Sequence, residues 1–263
     1  MRFASLGSGS EGNALLVEAS EGASTTRILL DFGFSMREVE RRLTARAIDV
    51  ASLDAIVITH EHADHIGSAL SLTRKYRIPL IMSWGTGQAV KVHATLKGEG
   101  DAALVRWCRA DERLAVGAIE LHPYTVPHDA REPLQFVFSD GARRLGVLTD
   151  AGCATAHLVA ALGGCDALVL ECNHDRDMLA NSKYPASLKA RIGGTYGHLA
   201  NDAAAEILGA IDRRKLQRVI GAHLSEQNNT PELAMAAMSS VIGSAGTEIL
   251  VATQAGGFDW LTC

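Results

Sequence analysis

The chain has 263 residues, of which 47% are hydrophobic and 21% charged, so it is long and apolar enough to bury a sizeable core. This composition excludes an intrinsically disordered chain, which combines low hydrophobicity with high net charge. The net charge of -5 argues against a nucleic-acid footprint spread over the whole surface, but it leaves a local basic groove open.

The start of the chain, MRFASLGSGSEGN, has no apolar stretch of the kind that forms a secretory signal, and no uncharged apolar run is long enough to cross a bilayer. We therefore expect a cytoplasmic protein. The five cysteines show no CxxC spacing, which predicts reduced structural thiols and neither a disulfide framework nor a thiolate zinc site.

Apolar runs typical of strands alternate with helical patterns along the chain, which predicts an α/β (α+β) fold. The predicted strands are TTRILLDFG, LDAIVITH, IPLIMS, AIELHPYTV, PLQFVFSD, RRLGVLTD, DALVLEC, LQRVIGAH and TEILVATQ. Helical spacing lies over residues 66–76, 87–96, 155–162, 202–211 and 231–242, with Asn201 and Thr230 as predicted N-caps. No repeat or linker divides the sequence, so we expect a single domain over residues 1–263.

Four potential metal ligands follow the predicted strand LDAIVIT at once: His60, His62, Asp64 and His65. His60 and His62, spaced i, i+2, can point the same way and bind one ion. Asp64 and His65 can turn toward a second ion. Imidazole and carboxylate suit zinc, manganese or iron. Capping of a helix start at Ile66 is the alternative, but capping has no use for three histidines. The cluster therefore predicts a metal site.

One strand end cannot complete two coordination spheres, so further ligands are expected at other strand ends. Three later segments, YTVPHDA, LGVLTDAG and RVIGAHLS, each follow a predicted strand. They supply His128, Asp150 and His223 as candidates.

This pattern resembles the metallo-β-lactamase superfamily over nearly the whole chain. The resemblance implies a four-layer αββα sandwich that holds two divalent metal ions (zinc, manganese or iron), which act as Lewis acids in hydrolysis. It also implies three ligand sets, namely His60, His62 and His128 for one ion, Asp64, His65 and His223 for the other, and Asp150 as the bridge. Asp31 matches an early aspartate that supports the ligand loop without binding metal, although a turn-forming role before Gly33 is the alternative.

The superfamily cleaves β-lactams, thioesters, lactones and phosphodiesters, so the fold alone does not fix the substrate. The segments DALVLECNHD and TYGHLANDAAAEIL hold Glu171 and His198 where the tRNA 3′-processing branch has a Glu and a His that serve the leaving group. A histidine held by a carboxylate can protonate a departing sugar oxygen at neutral pH. His198 is thus the expected acid and Glu171 its orienter, with Asp64 and Asp150 completing the catalytic set. The alternative is that both residues are structural. His198 would then lie in a loop before a helix capped by Asn201, and Glu171 would be a carboxylate at the end of a strand.

A closer resemblance, to the YycJ (WalJ) family, is carried by SGSEGN, PHDAREPLQFVF, LECNHDRDML, YPASLKARI, GHLAND and HLSEQNNTPELA. It implies a bacterial cytoplasmic exonuclease that acts 5′-to-3′ on double-stranded DNA, with a suggested link to mismatch repair. The chain departs from the family at Ala200 and Cys172, both commonly Ser there, and neither is a predicted ligand.

Loops on the core domain must grip the substrate, because the interval from Asp150 to His223 is too short for the inserted domain of the β-CASP nucleases. Backbone amides of the loop over residues 7–13 could cradle a phosphate, and basic side chains could contact others. The candidate substrate-binding residues are Ser8, Ser10, Asn13, Asn173, His174, Lys183, Lys189 and Arg191. The alternatives are that the loop over residues 7–13 is only a turn and that Lys189 and Arg191 lie on a solvated helix face.

Together these features predict a dinuclear metal-dependent phosphodiesterase of the YycJ kind, with DNA as its partner and no obligatory protein partner. The alternative enzyme is a small-molecule hydrolase of a thioester, lactone or cyclic phosphodiester, in which Glu171 and His198 would be structural. A metal-binding protein without catalysis would be expected only if ligands had been lost, and all seven positions are filled.

Overall fold

The computed structural model describes residues 1–98, 100–243 and 246–263, and within them two seven-stranded mixed sheets are formed. The first sheet has the spatial order β14 (Phe258–Thr262), β1 (Arg2–Gly7), β2 (Ala14–Glu21), β3 (Ser24–Leu30), β4 (Ala55–Val57), β5 (Leu80–Ser83) and β6 (Val105–Cys108). The second has the order β13 (Glu248–Val251), β12 (Arg218–Ala222), β11 (Ala167–Glu171), β10 (Arg144–Leu148), β9 (Leu134–Ser139), β8 (Ile119–Thr125) and β7 (Leu114–Val116). Strands β3 to β6 are parallel to one another, as are β10 to β13.

Helices lie between the strands in sequence. They are α1 (Met36–Thr44), α2 (Ala63–Ile66), α3 (Ala69–Tyr76), α4 (Trp84–Ala89), α5 (Val92–Thr95), α6 (Ala156–Leu162), α7 (Arg176–Asn181), α8 (Ala186–Ile192), α9 (Asn201–Ala210) and α10 (Pro231–Ile242). None of the helices in the described part of the chain combines the length and apolarity needed to cross a membrane.

Three apolar clusters fill the spaces between four layers. The central cluster joins the facing sides of the two sheets and includes Phe3 and Val57 from the first sheet and Phe136 and Val169 from the second. A second cluster packs α6, α9 and α10 on the outer side of the second sheet, and a third packs α1 and α3 on the outer side of the first. The predicted αββα sandwich is thereby confirmed.

All nine predicted strands are present, but two predicted helices are each divided into two. The helix expected over residues 66–76 is interrupted after Ile66 because Gly67 has a φ of 37°, which a helix cannot contain. The helix expected over residues 87–96 is interrupted at Lys91, whose φ of 53° is left-handed.

Of the two predicted N-caps, only Thr230 is confirmed, since its side chain accepts a hydrogen bond from the Leu233 amide. Asn201 is instead the first residue of α9, and Ala200 occupies the cap position without a side-chain bond. The Asn201 side chain exchanges hydrogen bonds of 2.8 and 2.9 Å with the buried Asn229, which explains why it does not cap the helix.

Candidate metal centre

The candidate ligands lie at one edge of the sandwich, where strands of both sheets end. Strand β4 of the first sheet leads into the loop that begins at His60, and β10 and β12 of the second lead to Asp150 and His223. Strand β8 runs in the same direction as β10, because both are antiparallel to β9, and it leads to His128. Carboxyl ends of strands are the usual position of ligand sites in α/β sheets.

Three imidazole nitrogens converge at one point of this edge. Nδ1 of His62 lies 3.0 Å from Nε2 of His60 and 3.3 Å from Nε2 of His128. Nitrogens this close can direct their lone pairs into a shared space that suits a cation.

A second group of donors lies beside the first, and Asp150 lies between the two groups. Oδ2 of Asp64 is 3.4 Å from Nε2 of both His65 and His223. Asp150 directs Oδ2 to within 3.2 Å of Nε2 of His65, and its Oδ1 is 3.8 Å from Nε2 of His128. The seven residues predicted as ligands are therefore brought together at this edge of the sandwich.

Hydrogen bonds on the outer side of the rings fix which nitrogen faces inward. Nδ1 of His128 donates to the Gly197 carbonyl (3.0 Å), and Nδ1 of His223 donates to the Thr149 carbonyl (2.6 Å). Nδ1 of His60 lies 3.0 Å from the Thr59 hydroxyl. Such outer bonds hold the ring and its tautomer in the state that a metal ligand requires.

Asp31 forms the same kind of support and does not itself face the centre. Its Oδ2 accepts a hydrogen bond of 2.7 Å from Nδ1 of His65, and its Oδ1 accepts one of 2.9 Å from the Thr59 amide. Asp31 and His223 have φ values of 60° and 55°, which cost on the order of 1–3 kcal/mol each outside glycine. Two of the six residues other than glycine that have a positive φ in the described part of the chain thus lie at this edge.

The electrostatics of the cluster fit a bound cation. Burial opposes a charge on Asp150, but His223 and His65 outweigh it and hold the pKa of this carboxyl well below its usual range. Burial also opposes protonation of His65 and His223, yet Asp150 and the other nearby carboxylates raise the pKa of both rings well above the ordinary value. Burial lowers the pKa of His128 to about 4. Both carboxylate oxygens of Asp150 are buried without a hydrogen-bond partner among the described residues, and an ion would satisfy them.

Glu171 and His198 form a pair beside Asp150. Nδ1 of His198 donates a 2.7 Å hydrogen bond to Oε1 of Glu171, whose Oε2 accepts one of 2.8 Å from the Ala151 amide. Burial raises the pKa of the Glu171 carboxyl, although His198 partly offsets this effect. Only the far side of the His198 ring is left for solvent or substrate, with 23% of the side chain exposed.

A cleft of about 340 Å³ opens over the centre. Among the predicted substrate-binding residues, Ser10 and Arg191 line it. Lys183 is exposed, and Lys189 donates through Nζ to the Ala180 carbonyl (2.7 Å). The cleft is therefore bounded by one of the three predicted basic residues.

Four other predicted substrate-binding residues have buried side chains, namely Ser8, Asn13, Asn173 and His174. The Ser8 hydroxyl accepts from the His223 amide at 2.9 Å, and Asn13 donates to the Asp64 carbonyl at 3.3 Å. The Asn173 side chain donates to the His223 carbonyl at 3.0 Å. Burial, with a contribution from His198, lowers the pKa of His174 to about 4. The contacts of Ser8, Asn13 and Asn173 support the ligand loops from inside.

Asp129 was not identified from the sequence, yet it lies at the mouth of the cleft. Its Oδ2 accepts a 2.6 Å hydrogen bond from Nε of Arg191, and its Oδ1 is 3.6 Å from Nε2 of His128. The pair holds the Arg191 guanidinium beside the histidines. Its only sequence signal is that Asp129 directly follows a predicted ligand.

The chain is similar to known proteins in sequence and in fold. A family model described as the β-lactamase superfamily domain matches residues 26–223. The chain is 32% identical over 246 residues to exodeoxyribonuclease YycJ of Bacillus anthracis, with 94% of this chain and 90% of the relative covered. It is 30% identical over 244 residues to exodeoxyribonuclease WalJ of Streptococcus pneumoniae, with 93% and 89% covered. The metallo-β-lactamase fold protein YhfI of Bacillus subtilis has the same fold, with a TM-score of 0.73 at 14% identity over 99% of both chains.

Proposed function

Because the chain belongs to the β-lactamase superfamily, and within it to the family of the exodeoxyribonucleases YycJ and WalJ, we propose that it is a metal-dependent DNA exonuclease. The observation that carries this proposal is the Glu171–His198 pair beside the seven-residue centre. A proton donor next to a metal centre serves an ester whose leaving group is a strongly basic sugar oxygen. We propose degradation of duplex DNA in the 5′-to-3′ direction.

The centre would hold two divalent ions. His60, His62 and His128 would bind one, Asp64, His65 and His223 the other, and Asp150 would be shared by both. When bound, such ions activate water and stabilise the negative charge that develops on a phosphate. Asp31, Ser8 and Asn13 would keep the ligand loops in place through the hydrogen bonds described above.

His198 would act on the leaving group. Its Nδ1 is committed to Glu171, so Nε2 is the nitrogen that can carry a proton toward the cleft. Glu171 is fixed in turn by the Ala151 amide, which prevents the carboxylate from rotating away from the ring. The pair would deliver a proton to the departing oxygen at a defined position.

Arg191 would orient the phosphate. Asp129 holds one edge of the guanidinium, and the 61% exposed side chain keeps other N–H groups available at the cleft. Ser10 is exposed on the same cleft and offers a hydroxyl. A phosphodiester bound there would face both the proposed ligands and His198, which line the same cleft.

The test uses purified protein loaded with zinc or manganese and incubated separately with end-labelled duplex DNA, single-stranded DNA and RNA. We expect stepwise shortening of duplex DNA from the 5′ end. Asp150→Ala is the matched control and should lose both bound metal and activity, because the carboxylate shared by the two ions is removed. Hydrolysis of thioesters or lactones without any DNA cleavage would replace this proposal by the small-molecule hydrolase, and full activity of Asp150→Ala would reject the ligand assignment.

A further inference from the structure

An exposed aromatic ring stands at the border of the candidate site. Tyr196 is 63% exposed, whereas a tyrosine ring normally gains stability from burial. Among the described residues, the other large hydrophobic side chains that are exposed are Trp84, Leu233 and Met235, and none of these lines the cleft. Tyr196 directly precedes Gly197 and His198, which do line it.

The backbone around Tyr196 is fixed even though its ring is free. The Tyr196 carbonyl accepts a 2.9 Å hydrogen bond from the Asp129 amide, and the next carbonyl, that of Gly197, accepts from His128. On the other side, Gly152 allows a close approach, because a Cβ there would lie 2.5 Å from the Tyr196 amide nitrogen. The loop is therefore held by segments that carry His128 and Asp150.

A rigid loop that presents an aromatic ring has the properties of a stacking platform. An aromatic face binds any nucleobase with little dependence on sequence, and a fixed backbone reduces the entropy lost on binding. Arg191, which precedes Tyr196 on the segment that ends α8, supplies positive charge for the adjoining phosphate. Base and phosphate would thus be bound by neighbouring parts of one segment.

We propose that Tyr196 stacks on the base of a nucleotide that adjoins the scissile phosphate and so selects strands that carry a base there. This inference rests on the proposed nuclease function. It assigns Tyr196 a role in substrate positioning and none in the metal centre or in proton transfer. Removal of the ring should lower kcat/KM for DNA about tenfold, a loss of about 1.4 kcal/mol, and replacement by another aromatic residue should restore it.

The experiment compares wild type, Tyr196→Ala and Tyr196→Phe on normal duplexes and on duplexes with an abasic site at the terminal or the penultimate nucleotide. An abasic site at the stacked position should lower kcat/KM in wild type. On that duplex we expect Tyr196→Ala to cause no further loss of kcat/KM, because the base that the ring contacts is already absent. Tyr196→Phe should behave like wild type on every duplex. Met235→Ala, which truncates an exposed side chain on α10, is the control and should be unchanged.

A second readout is the fluorescence of 2-aminopurine at the same nucleotide, which should be quenched on binding to wild type and to Tyr196→Phe but less so by Tyr196→Ala. Metal content must stay at the wild-type level in all variants. Equal losses for Tyr196→Ala on normal and abasic strands, or no loss on either, would overturn the stacking role while leaving the nuclease intact. Absence of DNA cleavage by wild type would instead overturn both proposals.

Discussion

At the scale of single residues, the centre depends on which nitrogen each ring presents. His128 and His223 commit Nδ1 to backbone carbonyls and present Nε2, whereas His62 presents Nδ1. A ring held by a carbonyl cannot turn over without losing a buried hydrogen bond, which costs about 1–3 kcal/mol. The geometry of the centre is therefore set by the surrounding backbone as much as by the ligands themselves.

His198→Ala should leave metal content near wild type, because the ring is hydrogen-bonded to Glu171 and is outside the proposed ligand set. We expect cleavage of DNA to fall by about 10²–10⁴-fold, the usual effect of losing a general acid. A substrate with an acidic leaving group such as p-nitrophenolate should be slowed much less. Steady-state kinetics on both substrates check this, and equal slowing of the two would rule out the acid role.

Arg191→Ala should weaken DNA binding for unrelated sequences alike and flatten the plot of log affinity against log salt by about one unit, since one phosphate contact is lost. Lys183→Ala is the matched control, because that lysine is exposed but does not line the cleft. Fluorescence anisotropy with labelled DNA at several salt concentrations measures both variants. If Lys183→Ala changes the slope and Arg191→Ala does not, the phosphate contact lies outside the cleft.

The protonation state of the ligands predicts how metal binding depends on pH. Nearby carboxylates raise the pKa of His65 and His223 well above the ordinary value, which favours a proton on each ring. A metal must displace these protons, and its affinity should therefore rise with pH. Calorimetric titrations with zinc in buffers of different ionisation enthalpy should detect the release of protons on binding. Zinc binding without proton release would contradict this description.

At the scale of elements, the sequence predicts nine of the fourteen strands found among the described residues and misses β1, β2, β6, β7 and β14, although β1 and β2 are largely buried. Strand β6 (VRWC) and strand β14 (FDWLT) lie at edges of the first sheet and have mostly partly exposed side chains, so their apolar pattern is weak. Helix α1 buries only Val39 and Leu43 among nine residues. The four-residue spacing of these two side chains and the Ser35 cap, which accepts a hydrogen bond from the Glu38 amide, are local signals of a helix that the sequence prediction does not include.

At the site, residues that follow a strand directly are visible in the sequence, whereas residues that meet through long-range contacts are not. The ligands lie directly after buried strands, so their position could be read from the sequence. The Asp129–Arg191 pair joins residues 62 positions apart, and the burial of Asn173 and His174 depends on α9 and on the segment after β12. Contacts of this kind follow from the tertiary structure alone.

Capping provides a test at the element scale. The Thr155 hydroxyl accepts a 3.1 Å hydrogen bond from the Leu158 amide and starts α6, whose Leu158 and Leu162 are buried on the second sheet. Thr155→Ala should lower the free energy of unfolding by about 1 kcal/mol, and Thr155→Ser should retain most of it. Urea unfolding should show a lower midpoint with an unchanged slope. Equal free energies of unfolding for Thr155→Ala and Thr155→Ser would mean that the hydroxyl cap contributes nothing.

At the scale of the whole molecule, the candidate centre links the two sheets. The loop with His60, His62, Asp64 and His65 follows a strand of the first sheet, whereas His128, Asp150 and His223 follow strands of the second. Ions bound by both groups would connect the layers at the edge where the sandwich is open. Under the expectation that residues 1–263 unfold as one unit, this connection should stabilise the whole chain.

Removal of metal should therefore lower the melting temperature. An ion that binds only the folded state contributes about 2.7 kcal/mol at a free concentration 100 times its Kd. For a chain of this length each kcal/mol corresponds to about 2–4 °C, so the melting temperature should fall by about 5–10 °C after chelation and recover when zinc or manganese is added. Calorimetry of wild type and Asp150→Ala separates this effect from unspecific metal binding, because the variant should melt at the same temperature with and without metal. A wild-type melting temperature that does not respond to metal would show that the sandwich is held by its three apolar clusters alone and that the centre is not a structural link between its sheets.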